Sequence, residues 1–139
     1  MYLTYDEYVT FGGTIDEAAF DNLEFEARTI VDWWTYNRLQ NEEFYSEAVK
    51  RCIFKLIEII RIRQVAGAID GQTTTTSGGT AGIVRQSNDG VDTTYNLATP
   101  QETISMTDNQ ISATIRMYLQ DVRNSLGRKV LYRGIYPGE

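Results

Sequence analysis

The side chains that most often perform chemistry are scarce in this chain. It has no histidine and a single cysteine, Cys52, among 13 Lys+Arg and 19 Asp+Glu. Without imidazole, no Ser-His-Asp triad, Cys-His dyad or histidine-based zinc site can be assembled. Cys52 lies in the apolar run KRCIFKLIEII, where a thiol acts as a small hydrophobe rather than a nucleophile. Carboxylates remain for acid–base or metal work, but they are dispersed. Asp6, Glu7, Asp16, Glu17, Glu24, Glu26, Asp32, Glu42, Glu43 and Glu47 fall mostly at prospective helix starts or on polar faces. An acid in the first turn of a helix complements the helix dipole and needs no catalytic role. No P-loop, dinucleotide-binding glycine pattern or calcium loop is present. The chain is therefore expected to have no catalytic residues, no cofactor and no metal, and to act through its surfaces.

Those surfaces depend on the elements that carry them. At 139 residues the chain suits one domain, 1–139, burying roughly 68–70 % of its unfolded surface. Apolar residues are 42 % and the net charge is −6, an ordinary globular composition on the acidic side. One cysteine excludes an intrachain disulfide. No apolar run approaches a membrane span, and MYLTYDEY lacks a signal-peptide layout, so a soluble intracellular protein with no membrane partner is expected.

The fold expected is mainly α: an antiparallel bundle of three to four helices over about 5–11, 16–39, 41–66 and 108–126. A flexible loop with a β-hairpin fills 67–107, and an extended C-terminal arm 127–139. Thr4 and Glu7 make a capping box before the first helix, and Gly12 ends it; Thr14 and Glu17 repeat the pattern for the second. On the second helix Phe20, Leu23, Ala27, Ile30 and Trp34 fall within about 80° and face the core. Asn41 is the expected cap of the third helix and Gly67 its stop. A strand beginning after Leu56 is the competing assignment, because LIEIIRIRQV is β-branched and partly alternating. The segment GQTTTTSGGTAG is small and uncharged; IVRQS, Asn88-Asp89-Gly90 and VDTTY read as a hairpin. In the last helix Ile111, Ile115, Leu119, Val122 and Leu126 form the apolar stripe, with Arg116 on the polar side.

Apolar residues left over from these stripes are candidate interfaces. Phe25 and Tyr36 lie off the core face of the second helix, and Trp33 is turned about 100° from Trp34. Phe54 and Ile57 belong to the stretch of the third helix that is apolar nearly all round. Phe25, Tyr36, Trp33, Phe54 and Ile57 are thus the candidate subunit interface. Tyr132, Arg133 and Tyr136 combine aromatic and guanidinium groups on the terminal arm, a composition suited to partner binding.

The opening TYDEYVTFGG with IDEAAFDNLEFEARTIVDWWTYNRL resembles the N-terminal half of the small head–tail connector, or head-completion adaptor, proteins of long-tailed bacteriophages and prophages. The isoleucine-rich helix, the stretch VRQSNDGVDTTY, the amphipathic helix and the tail LYRG extend the resemblance over nearly the whole chain. The resemblance implies a non-enzymatic virion protein at the head–tail interface, present in the host cytoplasm during assembly. Its copies would form a ring of about a dozen beneath the portal. That ring would extend the DNA channel without binding DNA specifically, and dock a downstream connector, stopper or tail-completion protein. The net charge of −6 agrees with weak phosphate affinity. A small cytoplasmic helical module that binds a partner one to one is the other expectation from these surfaces. A carboxylate or metal-dependent enzyme ranks last, since the acids do not cluster.

Overall fold

Thr4 accepts a hydrogen bond from the Glu7 N–H, and Glu7 accepts one from the Thr4 N–H, so the capping box opens α1 (Tyr5–Thr10). The computed structural model describes residues 1–72, 83–88, 91–96 and 100–137, with side chains described outside 66–101 and 103–104. Three further helices follow: α2 (Glu17–Trp34), α3 (Glu47–Gln72) and α4 (Pro100–Leu119). Two strands, β1 (Ile83–Asn88) and β2 (Val91–Asn96), lie between α3 and α4 and pair antiparallel, with Ile83 opposite Asn96 and Asn88 opposite Val91. The Thr73–Thr76 run and the expected turn residues Asp89 and Gly90 lie outside the described residues.

The protein is mainly helical, with α3 at its centre. Val49, Cys52, Ile53, Leu56, Ile57 and Ile60 of α3 are buried, against Phe20, Leu23, Ala27 and Val31 of α2 and Ile111, Ile115 and Leu119 of α4. Cross-links show the chain directions. Gln64 reaches Glu26 while Tyr45 sits beside Asp32, so α2 and α3 are antiparallel. Arg63 pairs with Asp108 at 2.9 Å while Glu42 accepts from Ser125, so α4 reverses again. The continuous helix through Leu56–Gln72 excludes the strand assignment there.

Several boundaries differ from expectation, each for a local reason. The cap of α2 is Asp16, whose carboxylate accepts from the Ala19 N–H at 2.7 Å, and not Thr14. That helix stops at Trp34 instead of near residue 39. Thr35 is buried, and Tyr36 and Asn37 both turn left-handed (φ 54° and 59°). Asn41 does not cap α3; the first intrahelical bond runs from Lys50 N–H to the Ser46 carbonyl. Glu42 instead crosses to the Ser125 N–H and hydroxyl at 3.0 Å. Gly67 does not end α3, because one interior glycine costs only about 1 kcal/mol against alanine. Pro100 starts α4 earlier than Thr107 or Asp108 would, at the first-turn position where a missing N–H is harmless.

The far end of α4 carries the largest difference. Helix ends at Leu119, and Asn124–Gly127 form a turn with Gly127 at φ +73°. The chain then doubles back: Arg123 pairs with Lys129, Val130 N–H donates to the Val122 carbonyl at 3.1 Å, and Val130 is fully buried. Leu126, expected on the apolar stripe, is exposed. Asn, Ser and Gly in succession favour the turn, and burying Val130 holds it.

The Glu7 carboxylate, ion-paired with Lys50 of α3, is the electrostatic tie between α1 and the core. The Lys50 hydrogen bond, with that of the Thr4 N–H, holds the Glu7 carboxyl below its ordinary range. A carboxyl depressed in the fold contributes stability above its unfolded value of about 4.3, and the contribution is lost as pH falls through the folded value. Glu7→Gln is therefore expected to lower stability at pH 7 by less than about 1 kcal/mol, since the pair is partly exposed. Urea titrations of the two proteins should converge as pH falls below the lowered folded-state value of Glu7.

Candidate functional site

An open groove of about 1360 Å³ is lined by residues of α2 and the segment after it, with Arg116 of α4 and Leu131 and Arg133 of the C-terminal segment. Phe25, Trp33 and Tyr36 line it and are 59 %, 74 % and 54 % exposed. These are three of the five residues singled out as candidate interface. Phe25 and Trp33 are exposed residues of α2, and Tyr36, with left-handed backbone just beyond the helix end, lines the same groove. Left-handed backbone costs a bulky L-residue roughly 1–2 kcal/mol, so the fold holds Tyr36 there against a local preference.

Of the other two candidates one is corrected. Ile57 is 0 % exposed and belongs to the core. Phe54 is half-buried, its ring 5.4 Å from Tyr8 and 5.9 Å from Phe11. Around Ile57 the apolar side of α3 is covered by α2 and α4, whereas Ile62 and Val65 nearer its end are exposed.

The arm is likewise not free. Arg38, just beyond α2, donates to the carbonyls of Val130, Tyr132 and Gly134, the last at 2.7 Å. Its guanidinium lies 5.1 Å from the Tyr136 ring, and Tyr136 and Tyr132 rings are 4.9 Å apart. The Tyr136 hydroxyl accepts from the Lys129 N–H. Residues 127–137 therefore form a clamped, folded-back segment rather than an extended arm. Tyr136 is half-buried and structural; Tyr132 and Arg133 remain exposed, and of the three only Arg133 lines the groove.

Sequence reasoning missed the groove's charged lining. Arg28 lies 5.4 Å over Phe25, and Arg116 lies 5.8 Å over Trp34. Arg116 had been placed with the solvated face of α4, and no spacing links it to a tryptophan 82 positions earlier. Nor does sequence reveal the groove's floor. Tyr2 packs its ring 4.4 Å from Tyr45 and donates its hydroxyl to Asp32, whose second oxygen accepts from Gln40. The Tyr2 N–H donates at 2.7 Å to Glu24, which is buried and lies 3.9 Å from Arg28. Burial, reinforced by Asp32, pushes the Tyr2 phenol far above its ordinary value, so it stays protonated as a donor.

The Cys52 thiol is pushed up to about 12 by burial alone, leaving an inert hydrophobe. Among the described residues no group of three Asp, Glu, Cys or His converges as a metal site would require, and no helix is long and apolar enough to cross a membrane. The groove is lined by aromatic faces, guanidinium groups, a few amides and the Asp32 carboxylate. Comparison of the chain with protein-family models, curated proteins and solved structures gives no match.

Proposed function

We propose that the protein is a non-enzymatic structural adaptor of a phage particle, assembling as a ring beneath the portal and docking the next connector or tail-completion protein. The observation that carries this reading is the outward aromatic set Phe25, Trp33 and Tyr36, gathered on one groove of a protein whose core is already closed. Covering such side chains is worth roughly 1.5–3 kcal/mol each, enough to favour a partner surface there. Repeated around a ring, individually weak contacts become a cooperative closed assembly. In this reading the β1–β2 excursion faces the channel or the adjoining ring, and DNA passes without specific contacts. The resemblance of the chain's element order and sequence pattern to head–tail connectors supplies the identity of the partners.

A second reading has a specific observation behind it. An open groove lined by α2, α4 and the C-terminal segment also suits a module that holds a single partner helix. Mixing the purified protein with portal rings and imaging by electron microscopy separates the two. Stacked annuli support the adaptor; one-to-one complexes with another protein and no association with portals at any salt concentration reject it.

A further inference from the structure

We infer that the α2–α4 groove takes an acidic peptide segment bearing a large apolar side chain, supplied by a partner protein. This specifies the chemistry of that face and rests on its being an interaction surface.

The charge distribution points to the occupant. The chain has six more acidic than basic residues, yet the groove is lined by Arg28, Arg116 and Arg133 against one lining carboxylate, Asp32; Arg28 is paired with the buried Glu24 behind it, so Arg116 and Arg133 carry the uncompensated charge. Asp32 is occupied by Tyr2 and Gln40. Elsewhere several basic side chains find acids: Lys50 with Glu7, Arg51 with Glu47, Arg63 with Asp108, Lys129 with Asp121. Among the described residues no ion pair engages Arg116 or Arg133, on a surface where carboxylates are in excess. Arg116 lies on the Trp34 ring. A guanidinium stacked this way keeps its N–H edge free for a carboxylate and is held in orientation for it.

Shape and walls define the rest of the ligand. At about 1360 Å³ the groove exceeds the roughly 300–1,000 Å³ of small-molecule sites and suits a peptide segment. Trp33 and Phe25 give a large apolar side chain a surface beside the arginines. A nucleic-acid strand fits less well. Only three cationic side chains line the groove, and the −6 chain around it opposes the many phosphate neutralisations that such binding requires.

The test is selection of a random dodecamer peptide display library on the immobilised full-length chain. Selected peptides should be enriched in Asp and Glu together with Trp, Phe or Leu. Arg116→Glu with Arg133→Glu, both at exposed positions, should keep the helical circular dichroism spectrum. Retention of the selected peptides should fall roughly tenfold or more per arginine, and the variant's own selection should turn towards Lys and Arg. Trp33→Ala should weaken retention without changing the acidic preference. Absence of acidic enrichment, or retention indifferent to the double charge reversal, overturns the inference. So does oligothymidylate that binds the groove and displaces the peptides, or self-association abolished by the double variant, which would make a second copy the occupant. Failure here while stacked annuli still form on portals rejects the groove's chemistry alone; acidic selection without annuli rejects the ring alone.

Discussion

Ile57→Ala should lower the unfolding free energy by about 3 kcal/mol, and Ile57→Asp should not fold, whereas Trp33→Asp should keep its stability within about 1.5 kcal/mol. Both positions are bulky apolar residues that sequence reasoning assigned to one interface, so the contrast is a direct measure of what the fold decides. Ile57 has no exposed surface and sits in the core of α3. Truncating it leaves a cavity, and a carboxylate there would be buried without a partner. Trp33 is mostly exposed, and its one described ring contact is the edge-to-face packing on Trp34, 5.7 Å between centroids. Losing that contact costs roughly 0.5–1.5 kcal/mol at most. Chemical denaturation of the three variants reads the difference. The functional consequence follows the same line: Trp33→Asp should abolish association with portal rings while remaining folded, and Phe25→Asp should weaken it. Unfolding of Trp33→Asp would place the side chain in the interior and remove the basis for an aromatic interface.

Gly13→Ala should cost about 3 kcal/mol or more, a loss of roughly 10 °C in melting temperature, although Gly13 lies in a surface connection. A Cβ at this position would stand 2.0 Å from Cε1 and 2.2 Å from Cζ of Tyr8. The ring cannot retreat. It is fully buried, with centroids 5.1 Å from Phe20 and 5.4 Å from Phe54. Its hydroxyl donates to Glu58 at 3.0 Å and accepts from the Thr14 N–H at 3.3 Å. Gly12 provides the control. Its φ of +97° favours glycine, yet nothing lies within 4 Å of an added Cβ, so Gly12→Ala carries only the backbone cost of about 1 kcal/mol. Thermal melts should rank the two variants in that order. Equal losses would show that the Tyr8 pocket yields.

Much of the local structure follows from neighbouring residues. The capping box of Thr4 and Glu7 is a contact three residues apart, and the helical stripes of α2 and α4 repeat every three or four. Short-range geometry of that kind is available to any reader of the chain. The α4 boundary shows where it runs out. The stripe continues on paper to Leu126, but burying Val130 and the Asn124–Gly127 turn outweigh continued helix. The end of α2 is similar: Tyr36 and Asn37 adopt left-handed backbone that no propensity favours for tyrosine.

The groove divides the same way. That the chain carries more aromatic surface than its stripes require was legible from composition and spacing, and it led to Phe25, Trp33 and Tyr36. Which of the surplus residues stay outside was not. Ile57 and Phe54 are equally apolar, but Ile57 faces the core of the helix that α2 and α4 flank, and Phe54 is half-covered by Tyr8 and Phe11. Arg116 came to Trp34 only because α2 and α4 both pack on α3, and Arg38 to the carbonyls of Tyr132 and Gly134 only because the C-terminal segment folds back. Residue types and their periodicity set the helices and the amount of apolar surface, since both depend on separations of a few residues. Tertiary packing alone decided which of that surface is left open and which charges border it, since burial is a property of neighbours that the order of the chain does not name.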